Sequence, residues 1–355
     1  MHRTRRFLAS REQPLNVAVV GYGYWGPNLV RNVLERPEFQ LAGLCELDPV
    51  RARAFQVKAP GAMVWDDLDT MLALEEIDAV IVATPPRTHH AIVRAALEAG
   101  KHVLVEKPLA KTSDEARDLI TLANLRGLTL MPGHTFVYSP PVNKVRELIH
   151  TGELGEVYFV TSSRMNLGKY QPDGVICDLA PHDLSILLYL LDEPVISVSA
   201  SARSVYQAHV PEVAFLTLTF ASGTTANVQI SWLAPRKVRE MVIVGSRRMV
   251  QYDDTAADEC VRVFDRGMEL AEPSNFGEFQ LSYRTGDIVI PRVEAAEPLS
   301  LELQDFSRAI LTGRKPRSHA ELGYEIVRTI EAAEQSLELG GEPVMLDSTP
   351  ARVAA

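Results

Sequence analysis

Cysteine is scarce in this chain of 355 residues: Cys45, Cys177 and Cys260 stand far apart, with no C-x-x-C spacing. That scarcity excludes a disulfide framework and a cysteine zinc site, and it fits a reducing cytoplasm. No stretch of 18 uncharged apolar residues occurs, which argues against a membrane span. Long basic blocks are also missing. The net charge is −10 and the basic runs are as short as Arg247-Arg248, so neither nucleic acid nor a membrane is an expected partner. Residues 1–14 are locally basic (Arg3, Arg5, Arg6, Arg11), but no long apolar segment follows them as in a secretory signal, and a flexible tail is expected. Internal repeats, low-complexity tracts and metal-ligand spacings are absent too, so no metal is expected.

What remains is an ordinary globular composition, 46% apolar and 23% charged, long enough for two cores. Near the start, the apolar run Val17–Val20 enters Gly21-Tyr22-Gly23-Tyr24-Trp25-Gly26-Pro27 and then an amphipathic stretch, Leu29–Leu34. A second apolar run, Leu41–Cys45, ends at Glu46, twenty residues after Gly26. This strand, glycine turn, helix, strand and acid make up a dinucleotide-binding fingerprint. Gly21 permits the tight turn, Gly23 admits a pyrophosphate, and Gly26 lets helix and strand pack closely. Pro27 suits a first helical turn, where its missing N–H costs nothing. A carboxylate at Glu46 accepts the adenosine ribose hydroxyls and repels a 2′-phosphate, which points to NAD rather than NADP. Arg51 and Arg53 lie one turn further on and could partly offset that preference.

Between Val17 and Met131, strand-like runs (Val17–Val20, Leu41–Cys45, Ala79–Val82, Val103–Val105, Leu128–Met131) alternate with helical patterns (Pro49–Val57, Leu68–Leu74, Thr88–Ala99, Ser113–Arg126). That alternation predicts a parallel, doubly wound α/β sheet over residues 15–132. Thr112 with Glu115 reads as a capping box, and Gly100 and Gly127 sit where helices end. The turn after Val82 carries Thr84, Pro85 and His89 at a strand's carboxyl end, where such sheets place ligands. Residues 133–355 read as an α+β domain with a large, mostly antiparallel open sheet. Its helices are expected at Val142–His150, Pro181–Leu191, Leu301–Leu311 and Gly323–Leu339. Its strands are expected at Val157–Arg164, Val195–Val205, Val213–Phe220, Thr224–Ser231, Val238–Val244, Met249–Tyr252 and Val261–Phe264. Ala271–Leu299 reads as a long irregular stretch.

Two constellations could carry chemistry. Glu106-Lys107-Pro108 closes a buried strand at the same sheet edge as the glycine turn. A lone lysine there is usually a solvated turn, yet a partly buried Lys107 with a lowered pKa could hydrogen-bond a reacting hydroxyl and pass its proton. Asp178 and His182 lie four residues apart at the expected start of a helix, with Pro181 in its first turn. Asp178 would serve there as an N-cap; it would equally orient the His182 imidazole for acid–base work. Arg164, Asn166, Lys169 and Tyr170 follow a strand just before Asp178 and are candidate substrate contacts. Trp232, Lys237 and Arg239 are weaker candidates, best explained by solvation at a sheet edge.

The order of glycine turn, Glu106-Lys107-Pro108 and Asp178-x-x-x-His182 resembles the Gfo/Idh/MocA family of glucose–fructose oxidoreductase, inositol dehydrogenases and relatives, over roughly Leu15 to Leu339. The resemblance implies a Rossmann domain holding NAD(P) and a second domain that supplies the substrate pocket and an open sheet for oligomer contacts. It implies Lys107, Asp178 and His182 as the catalytic set, which also touch substrate. Gly21, Gly23, Tyr24, Trp25, Gly26, Glu46, Thr84, Pro85, His89, Glu106 and Lys107 are the expected cofactor contacts. Gly133-His134-Thr135-Phe136 and Glu297-Pro298-Leu299-x-x-Glu302-x-x-x-Phe306 are similar to the branch acting on nucleotide-activated sugars. The expected activity is hydride transfer between nicotinamide and a secondary alcohol or ketone of such a sugar, by a homo-oligomer, dimer or tetramer. An inositol dehydrogenase, an NAD-dependent glycoside hydrolase without net redox turnover and a non-catalytic NAD-binding regulator are the alternatives.

Overall fold

Short apolar runs at the chain's beginning become the strands of a parallel sheet, its central members buried on both faces. In the computed structural model, which describes residues 13–347 apart from 169 and 271–280, these runs are β1 (Leu15–Val20), β2 (Phe39–Cys45), β3 (Met63–Trp65), β4 (Ala79–Val82), β5 (His102–Glu106) and β6 (Leu130–Gly133). The intervening helices are α1 (Gly26–Glu35), α2 (Pro49–Lys58), α3 (Leu68–Leu72), α4 (His89–Glu98) and α5 (Ser113–Arg126). The sheet order is β3-β2-β1-β4-β5-β6, parallel throughout, with Val17 opposite both Leu41 and Ala79. The order reverses at β1, between β2 and β4, and open α/β sheets bind ligands at such a switch point. Capping residues mark the helices: the Asp48 carboxylate accepts from Val50 N–H at 2.8 Å, and the Thr112 hydroxyl accepts from Glu115 N–H at 3.2 Å. Glu115 reaches back to Lys111 N–H (3.0 Å) rather than to Thr112, so the expected box is displaced by one residue. Gly127 ends α5 at φ +65°, a left-handed geometry suited to glycine.

Two compact units divide the chain, but not where composition suggested. The first runs through Tyr138 and takes back Ala296–Arg328; the second holds Ser139–Ala295 and the described residues from Thr329 onward. A single cut between 132 and 133 is therefore corrected to a chain that leaves the first unit and returns. After a 3-10 turn at Thr135–Tyr138, the second unit begins with α6 (Pro140–His150), β7 (Val157–Met165) and α7 (Gly174–Leu191). Strands β8 (Val195–Arg203), β9 (Val213–Phe220), β10 (Thr225–Ser231), β11 (Val238–Gly245), β12 (Met249–Asp253), β13 (Val261–Leu270) and β14 (Leu281–Val289) follow. The chain closes with α8 (Pro298–Thr312), α9 (Ala320–Glu338) and β15 (Val344–Met345). The return has a physical cause. Leu299, Leu303 and Phe306 on one face of α8 are buried, and the Arg36 guanidinium donates to the Ser300 carbonyl (3.0 Å) and hydroxyl (2.7 Å). Tyr138 Oη donates to Asp305 at 2.8 Å within the same unit.

The second sheet has nine strands in the order β14-β13-β12-β11-β7-β10-β9-β8-β15. All pairings are antiparallel except β7 with β10. Period-two alternation sorts its faces: Ala214, Leu216, Leu218 and Phe220 of β9 are buried, whereas Phe215 and Thr217 are exposed. Register puts Phe159, Thr161, Phe215, Thr217 and Asn227 on that exposed face.

Two expectations are revised here. Ala271–Leu299 is not irregular throughout, because Leu281–Val289 pairs with β13 as β14 and α8 starts at Pro298. α7 starts at Gly174, so Pro181 lies inside the helix, eight positions in, and Asp178 is not its N-cap. The reason is packing: Val175, Ile176 and Ala180 are all buried, and apolar burial carries the helix through a residue that lacks an N–H. Finally, α7 is itself 18 residues long with mean hydropathy 1.4, enough to cross a membrane by length and composition, yet 67% of it is buried in the protein and it carries Asp178 and Asp183. The basic residues Arg3 to Arg11 and Lys169 lie outside the described residues.

Candidate active site

The glycine turn is shaped by contact. Gly21 has φ +93°, and a Cβ there would stand 2.8 Å from the Ala83 carbonyl oxygen; at Gly26 it would stand 2.7 Å from the Gly21 oxygen. Any side chain at either position would clash with backbone. At Gly23 a Cβ would meet only Arg51 Nη1, at 3.9 Å, so the backbone is open on that side for a phosphate to approach. α1 has no acidic side chain in its first turn to compete for the free N–H groups. Glu46, at the tip of β2, is held by two backbone donors: Tyr22 N–H reaches Oε2 at 2.7 Å and Asp48 N–H reaches Oε1 at 2.9 Å. Each carboxylate oxygen keeps capacity for a ribose hydroxyl. Tyr24 is 94% exposed, while the indole Nε1 of Trp25 is sealed from solvent and lacks a hydrogen-bond partner.

On the other side of β1, the turn after β4 is tied to the turn after β5 through His89. The buried ring places Nε2 2.8 Å from the Thr84 carbonyl and Nδ1 2.7 Å from the Pro108 carbonyl. Burial keeps this imidazole below its ordinary pKa, with the Lys107 charge acting the same way. Wholly enclosed, His89 holds the two turns from behind; the expectation that it contacts cofactor directly is withdrawn. Thr84 Oγ1 accepts from the Thr88 hydroxyl at 2.8 Å, and Pro85 is exposed. The peptide between Lys107 and Pro108 is cis. Glu106, paired in register with Gly133, has its carboxyl pushed up to about 7 by burial, with Lys107 opposing.

The unit also joins two sequence runs that had suggested only a subgroup. Thr135 Oγ1 donates to Glu302 Oε2 at 3.0 Å, so the Gly133–Phe136 run and the first turns of α8 form one polar cluster. His134 and Glu302 are almost wholly buried within it. Glu302 itself escaped the expected site residues, although its spacing from Glu297 had been noted.

In the second unit, Asp178 and His182 lie one turn apart on α7, both partly exposed. The surprise is Trp232. It is only 3% exposed, not a solvated sheet edge, and its Nε1 donates to Asp178 Oδ2 at 3.0 Å. Tyr170 tilts against it with ring centroids 5.8 Å apart. Gly168 leaves room for that indole, since a Cβ there would fall 2.6 Å from Trp232 Cδ1. Asn166 Oδ1 is buried beside the same glycine without a partner, and its backbone N–H donates to Ser231 at 3.1 Å. Arg164 is a correction. On the inner face of β7 its Nε donates to Asp183 Oδ2 at 2.6 Å, both side chains are about 95% buried, and Ser162 Oγ donates to Asp183 Oδ1 at 2.8 Å. The guanidinium is a core ion pair rather than a substrate contact. Arg239 is likewise paired, to Asp254 at 2.9 Å.

Residues 15–134 match the oxidoreductase family with an NAD-binding Rossmann fold, and residues 142–251 match the GFO/IDH/MocA C-terminal domain. The chain belongs to the Gfo/Idh/MocA family. It is 27% identical over 338 residues to D-xylose 1-dehydrogenase (NADP(+)) 2 of Haloferax volcanii, covering 91% of this chain and 97% of that protein. To inositol 2-dehydrogenase of Corynebacterium glutamicum it is 25% identical over 351 residues, covering 95% and 97%. Among solved structures, the UDP-N-acetylglucosamine 3-dehydrogenase GnnA from Acidithiobacillus ferrooxidans superposes with TM-score 0.77 at 25% identity, covering 92% of this chain and 98% of that one. This Gfo/Idh/MocA protein is accordingly an oxidoreductase with an NAD-binding Rossmann fold, and the relatives it resembles are sugar and inositol dehydrogenases. Its own residues fit the dinucleotide of that family: the open backbone at Gly23, the doubly held Glu46 and the unpartnered Trp25 indole all lie at the carboxyl end of the first sheet.

Proposed function

We propose that the protein is an NAD-dependent dehydrogenase or ketoreductase for a nucleotide-activated sugar. The observation that carries the cofactor choice is Glu46, which two backbone N–H groups hold at the tip of β2, where a ribose 2′-phosphate would be repelled. Arg51, with Nη1 near Gly23, adds positive charge for a pyrophosphate and tempers the preference. When bound, the nicotinamide exchanges hydride with a carbinol or carbonyl carbon of the substrate. Lys107 hydrogen-bonds the reacting oxygen and stabilises charge developing on it. His182 takes or returns the hydroxyl proton, and Asp178, itself fixed by Trp232, orients the imidazole. Tyr170 and Asn166 are the remaining candidate substrate contacts.

A panel decides the substrate: the protein with NAD, NADH, NADP or NADPH against UDP- and dTDP-sugars and inositols, followed by nicotinamide absorbance. Turnover of nucleotide sugars with NAD supports the proposal. Turnover of inositols alone would move it to the cyclitol reading that the inositol 2-dehydrogenase relative suggests. Sugar release without net absorbance change would make it a hydrolase. We further propose assembly with a second copy of this chain across the exposed face of the nine-stranded sheet, where Phe159 and Phe215 are about 40% exposed among threonines. Light scattering that gives a monomer at micromolar concentration would refute it.

A further inference from the structure

Residues 204–209, in the loop that joins β8 to β9, are all exposed, so apolar burial does not hold the loop in shape. At its far end sits an acid that is only 3% exposed, Glu212. Three successive backbone N–H groups turn inward to its carboxylate. Val205 reaches Oε2 at 2.6 Å, and Tyr206 and Gln207 reach Oε1 at 3.2 and 3.3 Å. The Val205 donor above all, with those of Tyr206 and Gln207, holds this carboxyl below its usual range against the opposing effect of burial, so it is ionised at neutral pH.

The backbone beside that carboxylate supports two further elements. The Glu212 carbonyl accepts from Trp232 N–H at 2.9 Å, just past the end of β10, and the Pro211 carbonyl accepts from Val175 N–H at 3.0 Å, in the first turn of α7. These elements carry the Trp232 indole and the Asp178 carboxylate, which meet at 3.0 Å. Donor and acceptor of that bond therefore hang from two consecutive residues of one loop. We propose that Glu212 is a positioning residue for the Asp178–Trp232 pair: its carboxylate folds the β8–β9 loop and thereby sets where α7 meets the end of β10. The catalytic consequence rests on the role proposed above for Asp178, whereas the positioning itself does not.

Tryptophan gives a readout that needs no substrate, because Trp25 and Trp65 both lie in the first unit. In indole 1H–15N spectra of the cofactor-free protein, with the Trp232 signal assigned by Trp232→Phe, Glu212→Gln should move that signal and leave the other two in place. Glutamine keeps the shape but has a single acceptor oxygen, so three converging donors cannot all be satisfied. On a substrate found by the panel, Glu212→Gln should lower kcat by about tenfold at unchanged cofactor KM, and Glu212→Asp, still an anion, should restore part of it. A displaced indole signal with unchanged kcat would uphold the positioning role and remove Asp178 from the chemistry. If Glu212→Gln does not fold, amide hydrogen exchange of the wild type decides: the N–H groups of residues 205–207 should be protected to within about tenfold of Trp232 N–H, because they open together. An unmoved Trp232 indole signal in both Glu212→Gln and Glu212→Ala, or free exchange of residues 205–207 beside a protected Trp232 N–H, overturns the proposal.

Discussion

Glu46 and Asp178 are both carboxylates at the working end of an apolar element, and they are fixed by opposite means. Glu46 is held by backbone N–H groups of Tyr22 and Asp48, one on the glycine turn that follows the neighbouring strand and one two residues away. Asp178 depends on a side chain 54 residues away, the indole of Trp232, and its neighbour Asp183 depends on Arg164 and Ser162 of β7. Backbone donors come with the fold of a strand–turn–helix and need only glycine where a Cβ would clash. Side-chain donors need particular residues on strands that the tertiary fold alone brings together. The nucleotide-binding unit should therefore tolerate side-chain change around its carboxylate, and the sheet unit should not.

The sharpest way to break that contrast is Asp183→Ala. It leaves the Arg164 guanidinium buried without its counter-charge, and a loss of about 3–5 kcal/mol in urea unfolding is expected; a loss within about 0.5 kcal/mol would show that the pair is not needed for the fold. Next is the proposed chemistry. His182→Asn should lower kcat by about 100-fold or more while cofactor affinity, followed by fluorescence titration, stays near wild type. Near wild-type turnover would leave His182 a structural residue. Lys107→Ala should be comparably damaging, and Lys107→Arg should not restore it, because a planar guanidinium replaces a compact ammonium.

Trp232→Phe sharpens the comparison itself, since it keeps an aromatic ring and removes only the donor to Asp178. A fall in kcat of about tenfold is expected, with cofactor KM unchanged, matching a lost hydrogen bond to a charged group of about 1.5 kcal/mol. Unchanged kcat would mean that Asp178 is placed by α7 alone. Smallest is Glu46→Ala: the turn should persist, stability should change by less than about 1 kcal/mol, and the ratio of kcat/KM for NADP over NAD should rise by about tenfold. A wild-type preference for NADP would remove Glu46 from the role proposed for it.

Much of the first unit could be read before any coordinates, for local reasons. Asp48-Pro49 starts α2 where expected, and Thr112 and Gly127 bracket α5 at Ser113 and Arg126. β3, three residues long and poorly buried, escaped notice, as did the 3-10 turns at Pro86–Thr88 and Thr135–Tyr138. In the second unit, α7 was expected to start at Pro181 because proline marks first turns; burial of Val175 and Ile176 overrode that local rule. β14 was missed because Ser282, Arg284 and Asp287 hide its period, and its pairing with β13 supplies the order. Trp232 and Glu302 carry no local signal of their partners.

The amino-acid sequence by itself determined the elements whose hydrogen bonds close over a few residues: the glycine turn, the helix caps and the period-two strands. Each follows from steric limits and short-range donors that any chain with those residues must obey. Tertiary structure alone decided that α8 returns to the nucleotide-binding unit, that Arg164 faces Asp183 rather than a ligand, and that Trp232 holds Asp178. It also placed Glu302 against the Thr135 hydroxyl, 167 residues earlier in the chain. These pairings join residues far apart in the chain, and only packing of the apolar faces determines which polar groups then meet in the dry interior.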